Sequence, residues 1–147
     1  MVWSWSGSDS TFIRYQEVVK MREDDHISRV LVVEDEKGVR DLFCGVVDRC
    51  GFTAIEARDG EEAIRMLGEW DDLDAIILDI KMPNANGYQV IEKIREMNKI
   101  IPIIMCTAFS ELKDAESVIT YPKISMMEKP VSLKELEDNL KKAVLNI

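Results

Sequence analysis

Short apolar runs alternate with stretches of helical periodicity over most of the chain, and this alternation restricts the fold more than any other feature. Buried parallel strands are nearly continuous apolar runs, whereas an amphipathic helix repeats its apolar residues every three to four positions. The sequence predicts strands at residues 30–33, 52–57, 75–79, 103–106 and 124–127. Helices are predicted at about residues 37–50, 87–97 and 110–120, and onward from Gly60 and Ser132. Strict alternation predicts an α/β fold, a doubly wound five-stranded parallel sheet with helices on both faces.

The first 27 residues do not follow this alternation. They contain Trp3 and Trp5, and residues 12–21 have the pattern of a short amphipathic helix. We therefore expect an N-terminal extension over residues 1–27, partly disordered or a short helix, and a single α/β domain over residues 28–147. The extension is interpreted either as an unstructured start or as a docking or dimerisation arm. The first interpretation is favoured because chain termini are commonly poorly ordered.

Composition indicates which partners to expect. The net charge is −9 and no basic stripe is present, so we expect no nucleic-acid partner, because such proteins cluster their lysines and arginines. No apolar stretch approaches the roughly 18 residues of a membrane span, and the first residues lack the features of a signal peptide, so we expect no membrane association. Cys44, Cys50 and Cys106 lack metal-binding spacing and predict reduced thiols in a cytoplasmic protein.

Polar residues with possible chemical roles follow or end four of the predicted strands. Glu34 and Asp35 follow the first strand, Asp79 ends the third, Thr107 follows the fourth and Lys129 follows the fifth. Because open parallel sheets bind ligands at the carboxyl ends of their strands, we expect these side chains to form one site. Neighbouring carboxylates repel each other unless a cation lies among them, and their oxygens are the ligands that Mg²⁺ prefers.

This set of groups suits the transfer of a phosphoryl group to an aspartate. Asp79 would be the nucleophile and would form an acyl phosphate. Mg²⁺ and Lys129 would neutralise charge on the moving phosphoryl group, and Thr107 would donate a hydrogen bond to it. His26, the only histidine, lies outside the α/β pattern, so a zinc site is not expected. The acids after the first strand could instead stabilise a helix N-terminus by about 0.3–1 kcal/mol each, but this leaves the groups at the other strand ends unexplained.

Four motifs at these strand ends resemble the signature of two-component response-regulator receiver domains. They are Val32-Val33-Glu34-Asp35-Glu36, Leu78-Asp79-Ile80-Lys81-Met82-Pro83 with Gly87, Cys106-Thr107-Ala108 and Glu128-Lys129-Pro130. The resemblance covers residues from about 28 to 147 and implies the CheY-like, flavodoxin-like strand order 2-1-3-4-5. It also implies that Asp79 is the phosphoacceptor and that the Lys129–Pro130 bond is cis.

The resemblance also implies ligands and partners. Mg²⁺ would be held by Asp35, Asp79 and the backbone carbonyl of Lys81, with Glu34 acting directly or through water. The phosphoryl donor would be a histidine on a sensor kinase or a phosphotransfer protein. The output would be a contact between a downstream target protein and the surface of the fourth helix, fifth strand and fifth helix. Such a domain is not a classical enzyme, since it catalyses only its own phosphorylation and dephosphorylation.

Three positions bear on how such a switch would behave. Met126, three residues before Lys129, stands where many relatives have an aromatic residue, and it predicts a less directional switch because methionine is flexible. Asn86 stands where an aspartate is frequent. Phe109, two residues after Thr107, either slows hydrolysis of the acyl phosphate by crowding the path of water or only packs against the fourth helix.

Three functions remain open at this point. The last predicted helix runs to the end of the sequence at Ile147, so we expect a stand-alone, single-domain response regulator. The alternatives are a receiver-like interaction module without a phosphate cycle and an enzyme on the same fold. An aspartate-based phosphohydrolase would need a second acid two residues after the nucleophile, where this chain has Lys81, and no Gly-rich phosphate loop is present.

Overall fold

The computed structural model describes residues 26–82, 84–97, 99–108 and 122–147. At its centre is a five-stranded parallel sheet in the order β2-β1-β3-β4-β5. The strands are β1 (Arg29–Val33), β2 (Thr53–Ala57), β3 (Leu73–Asp79), β4 (Ile103–Thr107) and β5 (Ile124–Glu128). The helices of the described residues are α1 (Lys37–Arg49), α2 (Gly60–Glu69), α3 (Gly87–Glu96) and α4 (Leu133–Leu145). The predicted fold class and strand order are confirmed.

Two apolar cores lie on opposite faces of the sheet. Helices α2 and α3 pack on one core, and α1 and α4 pack on the other. Alternate residues of each strand point to opposite faces, so Leu31 of β1 belongs to the first core and Val32 to the second. Because both faces are covered, β3 is buried without interruption from Ala75 to Asp79. The carboxylate of Asp79 therefore ends a strand that runs through the interior.

The strand order creates a crevice at the carboxyl ends of β1 and β3. From β1 the chain crosses to β2 on one side, and it then returns to β3 on the other side. The helices after β1 and β3 therefore lie on opposite faces of the sheet, which leaves a space between their starts where ligands of such sheets bind.

The helices follow the predicted pattern in some details and depart from it in others. Gly51 follows α1 and has a φ of 83°, the left-handed conformation in which glycine commonly ends a helix. Leu42 and Leu133 fall on the apolar stripes that helical spacing predicts to be buried, yet they are 55% and 39% exposed. The predicted helix at about 110–120 and the arm containing Trp3 and Trp5 lie outside the described residues. Among the residues that are described, no helix combines the length and the apolar character needed to cross a lipid bilayer.

Candidate functional site

The carboxyl ends of four strands carry the polar groups predicted from the sequence. We call this border of the sheet the carboxyl edge. Glu34 and Asp35 follow β1, Asp79 ends β3, Thr107 ends β4 and Lys129 follows β5. Contacts between these residues and their neighbours show which of them the fold brings together.

Asp79 is a buried carboxylate that accepts two hydrogen bonds. The residue is 2% exposed. Its Oδ1 accepts from Nζ of Lys129 at 2.8 Å and from the backbone N–H of Lys81 at 3.3 Å. A buried charge is costly unless it is paired, and the ammonium group of Lys129 supplies the pairing.

Lys129 remains protonated in this position. Its burial, the largest single effect, lowers the pKa, but the hydrogen bond and charge of Asp79 and the charge of Glu34 outweigh it, so the pKa is raised above its ordinary value. About a third of the side chain is exposed, 36%, so the ammonium group can be reached from solvent. A fixed positive charge thus lies next to a buried carboxylate.

Glu34 is a second buried acid, and one of its oxygens has no partner. The residue is 2% exposed, and its Oε1 accepts from the backbone N–H of Glu36 at 3.3 Å. Its Oε2 is buried and makes no hydrogen bond within the described part of the chain. Burial, together with the negative charge of Asp79, raises the pKa of Glu34 to about 8. The protonated form of Glu34 is therefore favoured at neutral pH.

Three carboxylates could hold a metal ion at the carboxyl edge. Glu34, Asp35 and Asp79 each offer an oxygen, and these oxygens lie within 4.8 Å of one another. An unpartnered buried oxygen and like charges at short range are the features that a cation would satisfy, and an all-oxygen ligand set favours Mg²⁺. The residues present therefore fit a magnesium site.

Thr107 connects the end of β4 to Lys129 through its backbone. Thr107 is fully buried, and its hydroxyl donates to the carbonyl of Ala108 at 3.2 Å. Its own carbonyl accepts from the backbone N–H of Lys129 at 2.8 Å. The Lys129–Pro130 bond is cis, as the resemblance implied. The backbone of Thr107 thus holds the residue whose ammonium group pairs with Asp79.

Met126 and Phe109 were predicted to affect switching and lifetime. Met126 is partly buried beside Met105, its partner in the pairing of β4 with β5, and it packs on the core beneath α2 and α3. Phe109 lies outside the described residues. Asn86 has a structural role, because its side chain and that of Gln89 form a capping box at the start of α3.

Arg40 contacts the site and was not predicted from the sequence. It is 8% exposed, its Nη1 donates to the carbonyl of Glu34 at 2.9 Å, and its Nε donates to Oε1 of Glu56 at 3.2 Å. The backbone N–H of Glu34 in turn donates to the carbonyl of Ala57 at 3.1 Å. The main chain of Glu34 is therefore fixed on both sides. The available signal was a charged residue on the same buried stripe of the helix as Phe43.

Comparison with models of protein families matches residues 30–141 to the response regulator receiver domain. The chain belongs to this receiver family. The phosphate regulon transcriptional regulatory protein PhoB of Escherichia coli (strain K12) is 36% identical over 122 residues, which are 81% of this chain and 52% of that protein. The uncharacterized transcriptional regulatory protein YrkP of Bacillus subtilis is 35% identical over 108 residues, 74% of this chain and 46% of that protein.

Solved structures agree with this assignment. The crystal structure of a response regulator receiver protein from Pseudomonas putida matches with a TM-score of 0.72 at 26% identity, and the match covers 79% of this chain and 97% of that one. Receiver domains are phosphoacceptor signalling domains of two-component systems rather than classical enzymes, and their phosphorylation generally depends on Mg²⁺.

The expectation that no nucleic acid is involved was wrong. PhoB and YrkP are transcriptional regulatory proteins, and this receiver spans about half the length of each. The charge of −9 belongs to the receiver chain and does not indicate what a longer protein acts on. For the same reason, the stand-alone, single-domain arrangement stays a prediction.

Proposed function

We propose that this receiver, over residues 28–147, accepts a phosphoryl group on Asp79 from a phosphohistidine of a sensor kinase or a phosphotransfer protein. The observation that carries this proposal is the buried carboxylate of Asp79, paired with the ammonium group of Lys129 at 2.8 Å beside two further carboxylates. The free thiols of Cys44 and Cys106 support a cytoplasmic location.

The transfer exchanges a P–N bond for a P–O bond. A carboxylate oxygen of Asp79 attacks the phosphorus atom of the phosphohistidine, and the electron pair of the P–N bond leaves with the imidazole, which is protonated. Lys129 stabilises the negative charge on the phosphoryl oxygens, because its ammonium group already lies beside the attacking carboxylate. Thr107, buried at the adjacent strand end, supplies the hydroxyl donor. Attack of water on the same phosphorus later releases inorganic phosphate and restores Asp79.

Mg²⁺ would be bound by Asp35, Asp79 and the backbone carbonyl of Lys81, with Glu34 binding directly or through water. When bound, the ion would neutralise charge on the phosphoryl group. The buried Oε2 of Glu34 supports this ligand set, because it makes no hydrogen bond within the described residues. The exposed position of Asp35 leaves this side of the site open to solvent.

The output is a contact with a downstream target protein at the surface of β5, α4 and the predicted helix at 110–120. β5 is an edge strand, and its Ser125 and Glu128 are exposed. Met126 connects this strand to the core, where it lies beside Met105. A rearrangement at Thr107 would reach this surface through the pairing of β4 with β5, in which Thr107 lies opposite Glu128.

Phosphorylation with a small-molecule donor tests the proposal. The protein is incubated with acetyl phosphate or phosphoramidate, with Mg²⁺ or with a chelator, and its intact mass is measured. The wild type should gain one phosphoryl group only when Mg²⁺ is present, and Asp79→Asn should gain none. A wild type that stays unmodified, and that also fails to bind beryllofluoride, would instead support a receiver-like interaction module without a phosphate cycle.

A further inference from the structure

The segment between Asp79 and Gly87 is attached to the start of α2. Of this segment the structure describes residues 80–82 and 84–86. Oδ1 of Asp59 accepts from the backbone N–H of Glu62 at 2.8 Å and so caps α2. Oδ2 of the same carboxylate accepts from Nδ2 of Asn84 at 3.0 Å. One carboxylate therefore contacts two elements that lie far apart in the sequence.

A second contact at the same place is steric. A Cβ atom added to Gly60 would lie 1.9 Å from the carbonyl oxygen of Ala85, so only glycine allows the two backbones to approach so closely. Asn84, next to Ala85, has a φ of 69°, a left-handed conformation that asparagine tolerates better than most residues. The segment is thus held against α2 by both a hydrogen bond and close backbone packing.

The segment also carries the backbone groups that act at the phosphoacceptor. The N–H of Lys81 donates to Oδ1 of Asp79 at 3.3 Å. At the far end, the N–H of Gly87 donates to the carbonyl of Ile80 at 2.9 Å. Lys81 lies between Ile80, which accepts this hydrogen bond, and Asn84, which attaches the segment to Asp59. Both contacts therefore limit where the N–H and carbonyl of Lys81 can lie.

We propose that Asp59 and Asn84 are positioning residues that hold the backbone of Lys81 in the geometry needed for Mg²⁺ binding. Neither residue touches the reacting atoms, so each acts through the segment. The inference rests on the proposed function, since it concerns the carbonyl that we assign to the metal. The junction of β2 and α2, which contains Asp59, thus takes part in forming the site although it contributes no ligand to the metal.

The test uses two substitutions that each remove the hydrogen bond between Asn84 and Asp59. One removes the donor and the other removes the acceptor. Asn84→Gly permits the left-handed backbone but lacks the donor. Asp59→Ser can still cap α2 but lacks the second acceptor oxygen. Mg²⁺ is titrated into the isotope-labelled wild type, both single variants and the double variant. The dissociation constant is read from the amide resonance of Lys81, and hydrogen exchange of the same amide is measured without metal.

We expect each single variant to bind Mg²⁺ about three- to tenfold more weakly, the range for loss of one hydrogen bond. The double variant should be no weaker than the weaker single variant, because both changes remove the same contact. The amide of Lys81 should exchange faster in all three. Ser132→Ala, which removes the N-cap of α4 (3.3 Å from Ser132 Oγ to Glu135 N), is the matched control, and its Mg²⁺ affinity should equal that of the wild type.

If the variants bind Mg²⁺ as tightly as the wild type does, the inference is overturned. If the wild type is also phosphorylated on Asp79, the proposed function still stands. Additive losses in the double variant, or an equal loss in Ser132→Ala, would also overturn the inference, because general destabilisation would then explain the effect. A wild type that shows no Mg²⁺ binding at Lys81 would overturn both the inference and the metal site of the proposed function.

Discussion

At the scale of single residues, burial decides the chemistry of the site. Glu34 and Asp35 are adjacent carboxylates after the same strand, yet Glu34 is 2% exposed whereas Asp35 lies in solvent. Burial raises the pKa of Glu34 to about 8, and the charge of Asp79 adds to this effect. The protonated form of Glu34 is thus favoured in the metal-free protein at neutral pH, and Mg²⁺ bound at this oxygen would displace the proton.

We predict that the metal-free protein loses stability as pH rises from about 5 to 8. The pKa of Glu34 is raised from 4.5 to about 8, so the stabilising proton is fully bound below the lower value and is lost as pH rises through the higher one. Each unit of this difference corresponds to about 1.4 kcal/mol, so the loss amounts to several kcal/mol at most. Urea denaturation with a chelator measures it, and Glu34→Gln should flatten the dependence. An equal slope in Glu34→Gln would contradict the assignment.

We predict that Lys129→Met slows phosphorylation by acetyl phosphate about 10²-fold or more, because a preorganised charge beside the nucleophile is lost. The matched control is Lys81→Ala on the same edge. Its backbone N–H, rather than its ammonium group, contacts Asp79, so this substitution should change the rate little. If the two variants lose equal activity, the effect comes from net charge at the edge and not from the contact with Asp79.

At the scale of elements, the start of α3 lies against the end of β3 that carries Asp79. A Cβ atom on Gly87 would lie 2.9 Å from the carbonyl oxygen of Asp79 and 2.8 Å from Cδ1 of Ile80. The side chain of Asn86 caps this helix and accepts from the N–H of Gln89 at 3.1 Å. The position of α3 relative to Asp79 therefore depends on a glycine at its first residue.

We predict that Gly87→Ala destabilises the protein by about 1–3 kcal/mol and slows phosphorylation, because the backbone after Asp79 must move. Gly45→Ala is the matched control. Gly45 lies inside α1 with no atom within 4 Å of an added Cβ, so alanine should raise stability by about 0.5–1 kcal/mol. Urea denaturation of both variants measures these effects. A neutral Gly87→Ala would show that α3 can shift without affecting the site.

The sequence was sufficient to predict the strands and helices of the described residues and the residues placed at the carboxyl edge. Alternating patterns predict strands and helices, and parallel strands bring their ends to one edge. Arg40, and the contact of Asp59 with Asn84, could not be predicted because they depend on how close separate segments come in three dimensions. The exposure of Leu42 shows the same limit, since periodicity does not reveal how wide a buried stripe is.

At the scale of the whole molecule, the net charge was a poor guide to function. The charge of −9 led to an expectation that excluded nucleic acid, while relatives of which this chain covers only about half are transcriptional regulatory proteins. Part of that charge is the cluster of Glu34, Asp35 and Asp79, whose role is local. Overall charge therefore describes this receiver and not a longer protein that contains one.

We predict that Mg²⁺ raises the Tm of the wild type, because a ligand that binds only the folded state stabilises it by about 2.7 kcal/mol at a hundredfold excess over Kd. Asp35→Asn should fold equally well, since Asp35 is exposed, and should lose most of this increase. Thermal unfolding followed by circular dichroism measures both. An unchanged response to Mg²⁺ in Asp35→Asn would place the ion elsewhere.

The central claim is that Asp79 of the unaltered chain carries the phosphoryl group. Reduction of the phosphorylated protein with borohydride converts an aspartyl phosphate to homoserine, and peptide mass spectrometry then locates the modified residue. We predict homoserine at position 79 alone, formed only in samples phosphorylated with Mg²⁺ present. Homoserine at Asp35, or a stable phosphate on a serine or threonine with none at Asp79, would contradict the account.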